Sequence, residues 1–123
     1  MKLTKSEEEI MALIWQHRKV FLKEILDALP EPKPAATTVA TLLKRMTDKG
    51  FVAYHLHGHV REYYPLVEKE KYYSREVKGI IRNSFNDSAV QFASFFTHSA
   101  NLSMDELKAL RKLIDLEIQK KKK

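Results

Sequence analysis

The chain has 123 residues, of which 44% are apolar and none is cysteine, and its formal charge is +6. This length fits one domain of ordinary size or two small ones, and the apolar content suffices for a core. The absence of cysteine excludes disulfides and thiolate metal sites and fits a reducing cytoplasm. We expect a cytoplasmic protein, because the start lacks an apolar signal segment and no run approaches ~18 apolar residues.

The positive charge is concentrated in two places. Four of the 22 Lys and Arg residues form the tail at 120–123, and without them the balance is +2, from 18 basic and 16 acidic residues. Residues 33–61 contain one acid, Asp48, and five basic residues: Lys33, Lys44, Arg45, Lys49 and Arg61. A positive strip on a nearly neutral protein is typical of a surface that contacts phosphates at one face.

Two amphipathic helices are predicted at the start of the chain. The first is expected over residues 4–16, because Thr4 and Glu7 have the spacing of a capping box and apolar residues follow at helical intervals. The second is expected over residues 21–29, again from apolar residues at i, i+3, i+4 and i+7. The prolines of the following EPKP segment end this helical region, since proline cannot continue a helix.

A third helix is predicted between residues 35 and 50, and its two faces differ in chemistry. Four apolar residues form one face: Val39, Leu42, Leu43 and Met46. The opposite face carries small, hydroxyl-bearing and basic side chains, among them Thr37, Thr41 and Lys44. Gly50 stands where a left-handed cap residue is expected to end the helix.

A β-hairpin is predicted directly after the third helix, in two β-rich runs that meet around residue 58. Its register is open between two alternatives. A two-residue turn at His57-Gly58 pairs Leu56 with His59. A three-residue loop instead segregates one apolar face, made of Val52, Tyr54, Leu56, Val60 and Tyr64. A helix with such an outer face, followed by a hairpin, is what a winged helix-turn-helix uses to enter a DNA groove.

Three more helices are predicted after residue 66. The first two are expected over 67–85 and 86–98, and the third begins at Ser103, which forms a capping box with Glu106. The predicted fold is therefore mainly α. Residues 1–66 form a winged helix of three helices and a hairpin, and residues 67–123 form a three-helix unit with a lysine tail.

The second half is too small to bury its apolar side chains alone, so we predict that two subunits share it as a dimerisation domain. Folding back onto the first half is the alternative. The residues expected at the dimer interface come from all three helices: Tyr73, Val77, Ile80, Ile81, Val90, Phe92, Phe95, Phe96, Leu107, Leu110 and Ile114.

Several segments resemble the penicillinase and methicillin-resistance repressor family, the BlaI/MecI/CopY-like winged-helix repressors. They are LTKSEEEIMALIW (3–15), TTVATLLKRMTDKGFV (37–52), REYYPLV (61–67) and the helical end NLSMDELKALRKLI (101–114). The resemblance implies a bacterial homodimeric transcriptional repressor that binds dyad operator DNA. It also implies release by cleavage in the dimerisation unit, triggered by a membrane-bound sensor protease.

The resemblance also implies which residues contact DNA. The family's recognition-helix contacts fall on seven positions: Ala35, Ala36, Thr37, Thr38, Ala40, Thr41 and Arg45. Thr38, Thr41 and Arg45 match the family's usual residues. The usual Ser-Pro-Lys is replaced at residues 35–37, and the long polar side chain often found at Ala40 is absent, so the resemblance implies DNA binding but leaves the operator sequence open.

The residue types themselves support part of this assignment. A threonine methyl can contact a thymine methyl, and its hydroxyl can donate to a base edge or a phosphate. Lys44 and Arg45 are better placed for phosphates, and His57, His59 and Arg61 of the wing for the backbone or the minor groove. Exposed threonines without a role and a solvated basic face are the alternatives.

The cleavage site is implied by the resemblance alone. The family's scissile bond is commonly Asn-Phe in the middle helix of the dimerisation unit. The equivalent bond here is Gln91-Phe92, or Phe95-Phe96 if the alignment shifts by four residues.

Other functions have less support. His55, His57 and His59 suggest a metal-responsive regulator, but no Cys, Asp or Glu completes a site within that run, so we predict no metal and no cofactor. We predict no enzyme, because the chain lacks a Gly-rich phosphate loop and a cysteine nucleophile. A winged helix that binds only protein has no need of the basic strip.

Overall fold

The computed structural model describes residues 2–122 as six helices and three short strands. The first part contains α1 (Lys5–His17), β1 (Val20–Phe21), α2 (Leu22–Ala28), α3 (Ala36–Asp48), β2 (Val52–His57) and β3 (Val60–Pro65). The second part contains α4 (Lys69–Ser84), α5 (Ala89–Ser99) and α6 (Met104–Lys121). The predicted mainly α fold with a hairpin wing is confirmed. Strand β1 is not predicted from the sequence, because two residues are too few to create a periodic pattern.

The predicted helix caps are present at both ends of the chain. At the start of α1, the backbone N–H of Glu7 donates to Thr4 Oγ1 at 3.2 Å, and Glu7 Oε1 accepts from the Thr4 N–H at 2.8 Å. Ser103 and Glu106 form the same reciprocal pair before α6. The hydrogen bond from the Ser103 backbone keeps the pKa of Glu106 below its ordinary value. These caps explain where α1 and α6 begin.

Helix α3 ends as the sequence predicts, at a left-handed glycine. Gly50 has φ +83°, and its N–H donates to the Thr47 carbonyl at 3.0 Å. The Phe51 N–H donates to the Met46 carbonyl at 2.9 Å, which completes a Schellman motif. This cap turns the chain directly into β2.

The hairpin register differs from both predicted alternatives. The turn consists of Gly58 (φ +64°) and His59, so His57 pairs with Val60. The sheet order is β1-β3-β2, all antiparallel, and buried Tyr63 lies opposite both Val20 and Tyr54. Strand β3 is paired on both sides, and the burial of Tyr63 shows which face of β3 packs against the core.

The core of the first part combines the three helices, the sheet and the beginning of α4. On α3, Val39, Leu43 and Met46 are fully buried, and Leu42 is half-buried. The buried side chains from the other elements are Leu3, Ile10, Met11, Ile14, Trp15, Val20, Ile25, Leu29, Phe51, Val52, Tyr63 and Tyr72. The apolar face predicted for α3 is therefore its packed face.

The chain divides into two compact units, and the boundary along the sequence lies between Ser74 and Arg75. The first unit extends beyond the predicted boundary at residue 66, because Tyr72 is buried against the rings of Trp15 and Phe51. The Trp15 Nε1–H also donates to the Val67 carbonyl at 2.8 Å. The assignment of the two units to DNA binding and dimerisation stays a prediction.

The second unit packs loosely around phenylalanine rings. Phe85 contacts Phe92 and Phe95, with ring centroids 5.5 and 5.2 Å apart, and Phe92 stacks on Phe96. None of the described residues from 75 to 122 is fully buried, and Val90 is 79% exposed.

Within residues 2–122, no helix combines the length and the apolarity that crossing a bilayer requires.

Candidate nucleic-acid interface

Helix α3 presents one polar face, because its other face is buried in the core. The predicted contact residues of this helix and of its N-terminal cap are all exposed: Ala35, Ala36, Thr37, Thr38, Ala40, Thr41, Lys44 and Arg45. Asp48 lies on the same face one turn after Lys44. An exposed helix face of this length can enter the major groove of B-DNA.

The two candidate threonines differ in what their hydroxyls can do. Thr41 Oγ1 donates to the Thr37 carbonyl at 2.9 Å, so its proton is used within the helix. Thr41 therefore offers a methyl group and an acceptor rather than a donor. Within the described part of the chain, the Thr38 hydroxyl has no hydrogen-bond partner, so it stays available as a donor.

The two basic side chains of α3 are both accessible. Lys44 Nζ lies 3.3 Å from Asp48 Oδ2, but both side chains are more than half exposed, so the pair is weak. The Arg45 side chain forms neither an ion pair nor a hydrogen bond with any residue between 2 and 122. Both cations are free to contact an anion.

Lys49, which belongs to the predicted basic strip, is not available at the surface in this way. Its Nζ lies 2.7 Å from Oε1 of the fully buried Glu7 and 3.3 Å from the Lys2 carbonyl. Burial raises the pKa of Glu7, but the hydrogen bonds from Lys49 and Thr4 outweigh that effect, and the pKa lies below its ordinary value. Lys49 thus ties the end of α3 to the start of α1.

A groove of about 350 Å³ separates α3 from the wing, and it collects three of the predicted contact residues. Ala40 of α3, His59 of the turn and Arg61 of β3 all line it. Lys23, at the start of α2, adds a cation that was not predicted, because no periodic pattern links it to the wing. No acidic side chain is found among the described lining residues.

Arg61 is held in place by aromatic side chains. Its guanidinium carbon lies 4.4 Å from the centroid of the Tyr54 ring, which is a cation–π contact. A side-chain hydrogen bond with Tyr63, followed by charge interactions with Tyr54 and Tyr63, raises the pKa of Arg61 above its ordinary value. The cation at the groove is therefore preorganised.

His57 lies on the opposite face of the hairpin from Arg61, since the two residues alternate in the ladder. Its Nε2 is 3.0 Å from Glu62 Oε1, and its ring meets the edge of Phe21. His55, on the same face, stacks on Tyr64. The structure thus separates His57 from His59 and Arg61.

Among residues 2–122, no three His, Asp or Glu side chains are grouped as a metal site.

The residues of the candidate cleavage bonds lie in α5. Gln91 is in its first turn, where its N–H donates to Ser88 Oγ at 3.0 Å and its Oε1 accepts from Asn86 Nδ2 at 3.2 Å. Phe92 is half-buried, whereas Phe95 and Phe96 are exposed. Cleavage at either bond requires local unwinding of a helix.

Comparison with known proteins gives consistent matches along the chain. A family model described as penicillinase repressor matches residues 3–116. The penicillinase repressor of Bacillus licheniformis is 23% identical over 122 residues, covering 98% of this chain and 95% of the relative. The methicillin resistance regulatory protein MecI of Staphylococcus aureus (strain N315) is 24% identical over 115 residues, covering 93% of this chain and 94% of that protein.

One solved structure extends the comparison to DNA. It is the monomeric form of Bacillus licheniformis BlaI in complex with the blaP half-operator. Its TM-score is 0.50 and its sequence identity 27%, and the match covers 58% of this chain and 89% of that one.

Proposed function

This chain belongs to the penicillinase repressor family, and we propose that it is a bacterial transcriptional repressor that binds double-stranded operator DNA as a homodimer. One observation carries the proposal. The exposed threonine and arginine face of α3 adjoins a groove in which Lys23, His59 and Arg61 lie without an acidic neighbour among the described residues. The relative BlaI forms a complex with a half-operator.

In this function α3 enters the major groove, and Thr38 and Thr41 contact base edges. Thr38 donates a hydrogen bond, whereas Thr41 contacts a thymine methyl or accepts a hydrogen bond, because its own proton is used within the helix. Ala35, Ala36 and Ala40 add only small apolar contacts. Base specificity therefore depends on few side chains.

Phosphate contacts supply most of the affinity. Lys44 and Arg45 contact DNA phosphates along one flank of α3. Lys23 and Arg61, which line the wing groove of the protein, contact phosphates on the wing side. Each neutralised phosphate releases counterions, so binding weakens steeply with salt. The contact by His57 stays a prediction with less support, because Glu62 already binds its ring.

Homodimerisation accounts for the second unit. Its large apolar side chains are exposed along three helices, including Ile80 at 49%, Phe95 at 55% and Ile114 at 57%. Exposed apolar area of this kind is stabilised by a partner surface. A two-fold dimer places its two α3 helices on half-sites separated by ~10 bp or a multiple of it.

Release from DNA follows cleavage in α5, at Gln91-Phe92 or Phe95-Phe96, triggered by a membrane-bound sensor protease. Removing α6 from the rest of the chain deletes one of the three helices that carry the dimer surface. The repressor itself works in the cytoplasm, where the chromosome lies, and as a regulator rather than as an enzyme.

Selection of genomic fragments on the purified full-length chain tests this function. We expect retained fragments to share a dyad sequence and to be released as the salt concentration rises. Sedimentation of the free protein should give the mass of a dimer. A monomeric chain that retains no fragment at low ionic strength would overturn the proposal.

A further inference from the structure

A second groove lies on the opposite edge of α3 from the wing, and among its described lining residues only Thr38 belongs to the proposed DNA contacts. It has a volume of about 350 Å³ and lies between α1, the loop before α3 and α3 itself. Apolar side chains from all three elements form most of its wall, including Ile10, Pro32 and Leu42. A largely apolar cleft of this size is at the lower end of the range for small-molecule sites, about 300–1,000 Å³.

The charges at this groove are of one sign. Glu9 of α1 and Glu31 of the loop both line it, and no basic side chain is found among its described lining residues. Lys33, which is close in sequence, is not among these lining residues, although its backbone N–H donates to Glu31 Oε2 at 3.2 Å. Its Nζ donates to the carbonyls of Leu26, Asp27 and Leu29 at 2.9, 3.0 and 2.7 Å. In a chain with a charge of +6, this groove is a locally acidic and apolar site.

We propose that the groove binds a small apolar cation, namely an ammonium ion that carries a hydrophobic group. The apolar wall contacts the hydrophobic part, while Glu9 and Glu31 attract the ammonium group. An anion of the same shape is repelled by both carboxylates, and a neutral molecule gains only the apolar contact. The charge pattern therefore selects among ligands of equal size.

The position of Thr38 makes this ligand an effector, a step that rests on the proposed function. Thr38 lines the groove and also lies on the exposed face of α3. A ligand seated against it occupies space that a base edge needs. Ligand and operator thus exclude each other at Thr38, and by linkage each lowers the affinity for the other.

Titration of the ¹⁵N-labelled full chain with phenethylammonium chloride tests the site directly. We expect saturable chemical-shift changes centred on residues 31, 38, 39 and 42. The matched probes are phenethyl alcohol, which is neutral, and 3-phenylpropionate, which is an anion. Equal binding of all three probes, or no saturable binding of the cation, would overturn the site.

The double variant Glu9→Gln/Glu31→Gln tests the role of charge without removing a buried group, since both residues are exposed. We expect its affinity for phenethylammonium to fall by up to about five-fold per carboxylate. The control is Asp27→Asn, an exposed acid on α2 outside the groove, which should leave the affinity unchanged. Equal losses in both variants would show that the effect is only long-range charge.

The effector role is tested by fluorescence anisotropy with a DNA fragment that the chain retains. Phenethylammonium should weaken binding several-fold more than the same concentration of ammonium chloride, which controls for ionic strength. Unchanged or tighter DNA binding would contradict the effector role. If no fragment is retained at all, the proposed function fails, while the NMR titration still decides whether the groove binds the cation.

Discussion

The two compact units differ in what they bury. The first unit encloses the apolar faces of its helices and one side of its sheet, with Ile14, Leu43 and Met46 fully buried. In the second unit, no described residue is fully buried, although α5 and α6 carry many large apolar side chains. An amphipathic helix is stabilised in a fold only where its apolar face meets another apolar face. The first unit supplies that apolar surface from its own elements, whereas the second unit leaves the apolar side chains of its helices exposed.

The largest expected difference between the units concerns ion pairs. Lys49→Met leaves Glu7 buried without its cation, so we expect the free energy of unfolding to fall by about 3–5 kcal/mol. In the second unit, Lys120→Met removes an exposed pair with Glu117 and should cost less than ~1 kcal/mol. Urea unfolding followed by circular dichroism measures both. Equal costs would contradict the contrast in burial.

Core truncation gives the next largest difference. Leu43→Ala removes a fully buried side chain of α3, and we expect a loss of about 2–5 kcal/mol in the free energy of unfolding. The matched variant Leu116→Ala shortens a leucine of α6 that is 52% exposed, and its cost should be far smaller. Thermal unfolding compares the two. A large cost for Leu116→Ala would indicate that a partner subunit covers it.

The proposed dimer is tested by a charge on α6. Ile114→Glu places a carboxylate on the exposed apolar face, and we expect dimer association to weaken by about 2–4 kcal/mol. Lys112→Glu, an exposed polar position on the same helix, is the control and should leave association unchanged. Sedimentation equilibrium measures both variants. If Ile114→Glu forms dimers of unchanged affinity, this face of α6 is not part of the interface.

The pH dependence of stability should come partly from Glu7. Its pKa in the folded state lies below the ordinary value of 4.5, so the unfolded chain binds this proton more tightly. The resulting stabilisation is complete above pH 4.5 and is lost as the pH falls through the lowered pKa. In Glu7→Gln this titration is absent, so the difference in unfolding free energy between the two proteins should shrink in acid. A constant difference would contradict the ion pair.

The smallest expected effect concerns phosphate contacts. Arg61→Gln and Lys23→Gln should each reduce the steepness of log K against log salt concentration by about 0.9. Lys112→Gln in the second unit should leave the slope unchanged. Fluorescence anisotropy over a salt series measures all three. A slope that changes equally in every variant would mean that the wing groove is not a phosphate site.

The candidate site was only partly predictable. The exposed face of α3 was predictable, because Thr37, Thr41 and Lys44 stand opposite a regular apolar face. Lys23 was not predictable, because it reaches the wing groove only after α2 packs beside the sheet. Lys49 belongs to the predicted basic strip, although its partner Glu7 lies 42 residues earlier in the chain and binds its partly buried side chain.

The sequence by itself determined the helices and their ends, because these depend on hydrogen bonds between residues three to five positions apart. The caps at Thr4 and Ser103 and the left-handed Gly50 are of this kind. Only the tertiary structure decided the hairpin register, since Tyr63 is fixed by strands on both of its sides. It also decided which cations face solvent, because burial depends on segments that are distant in the chain.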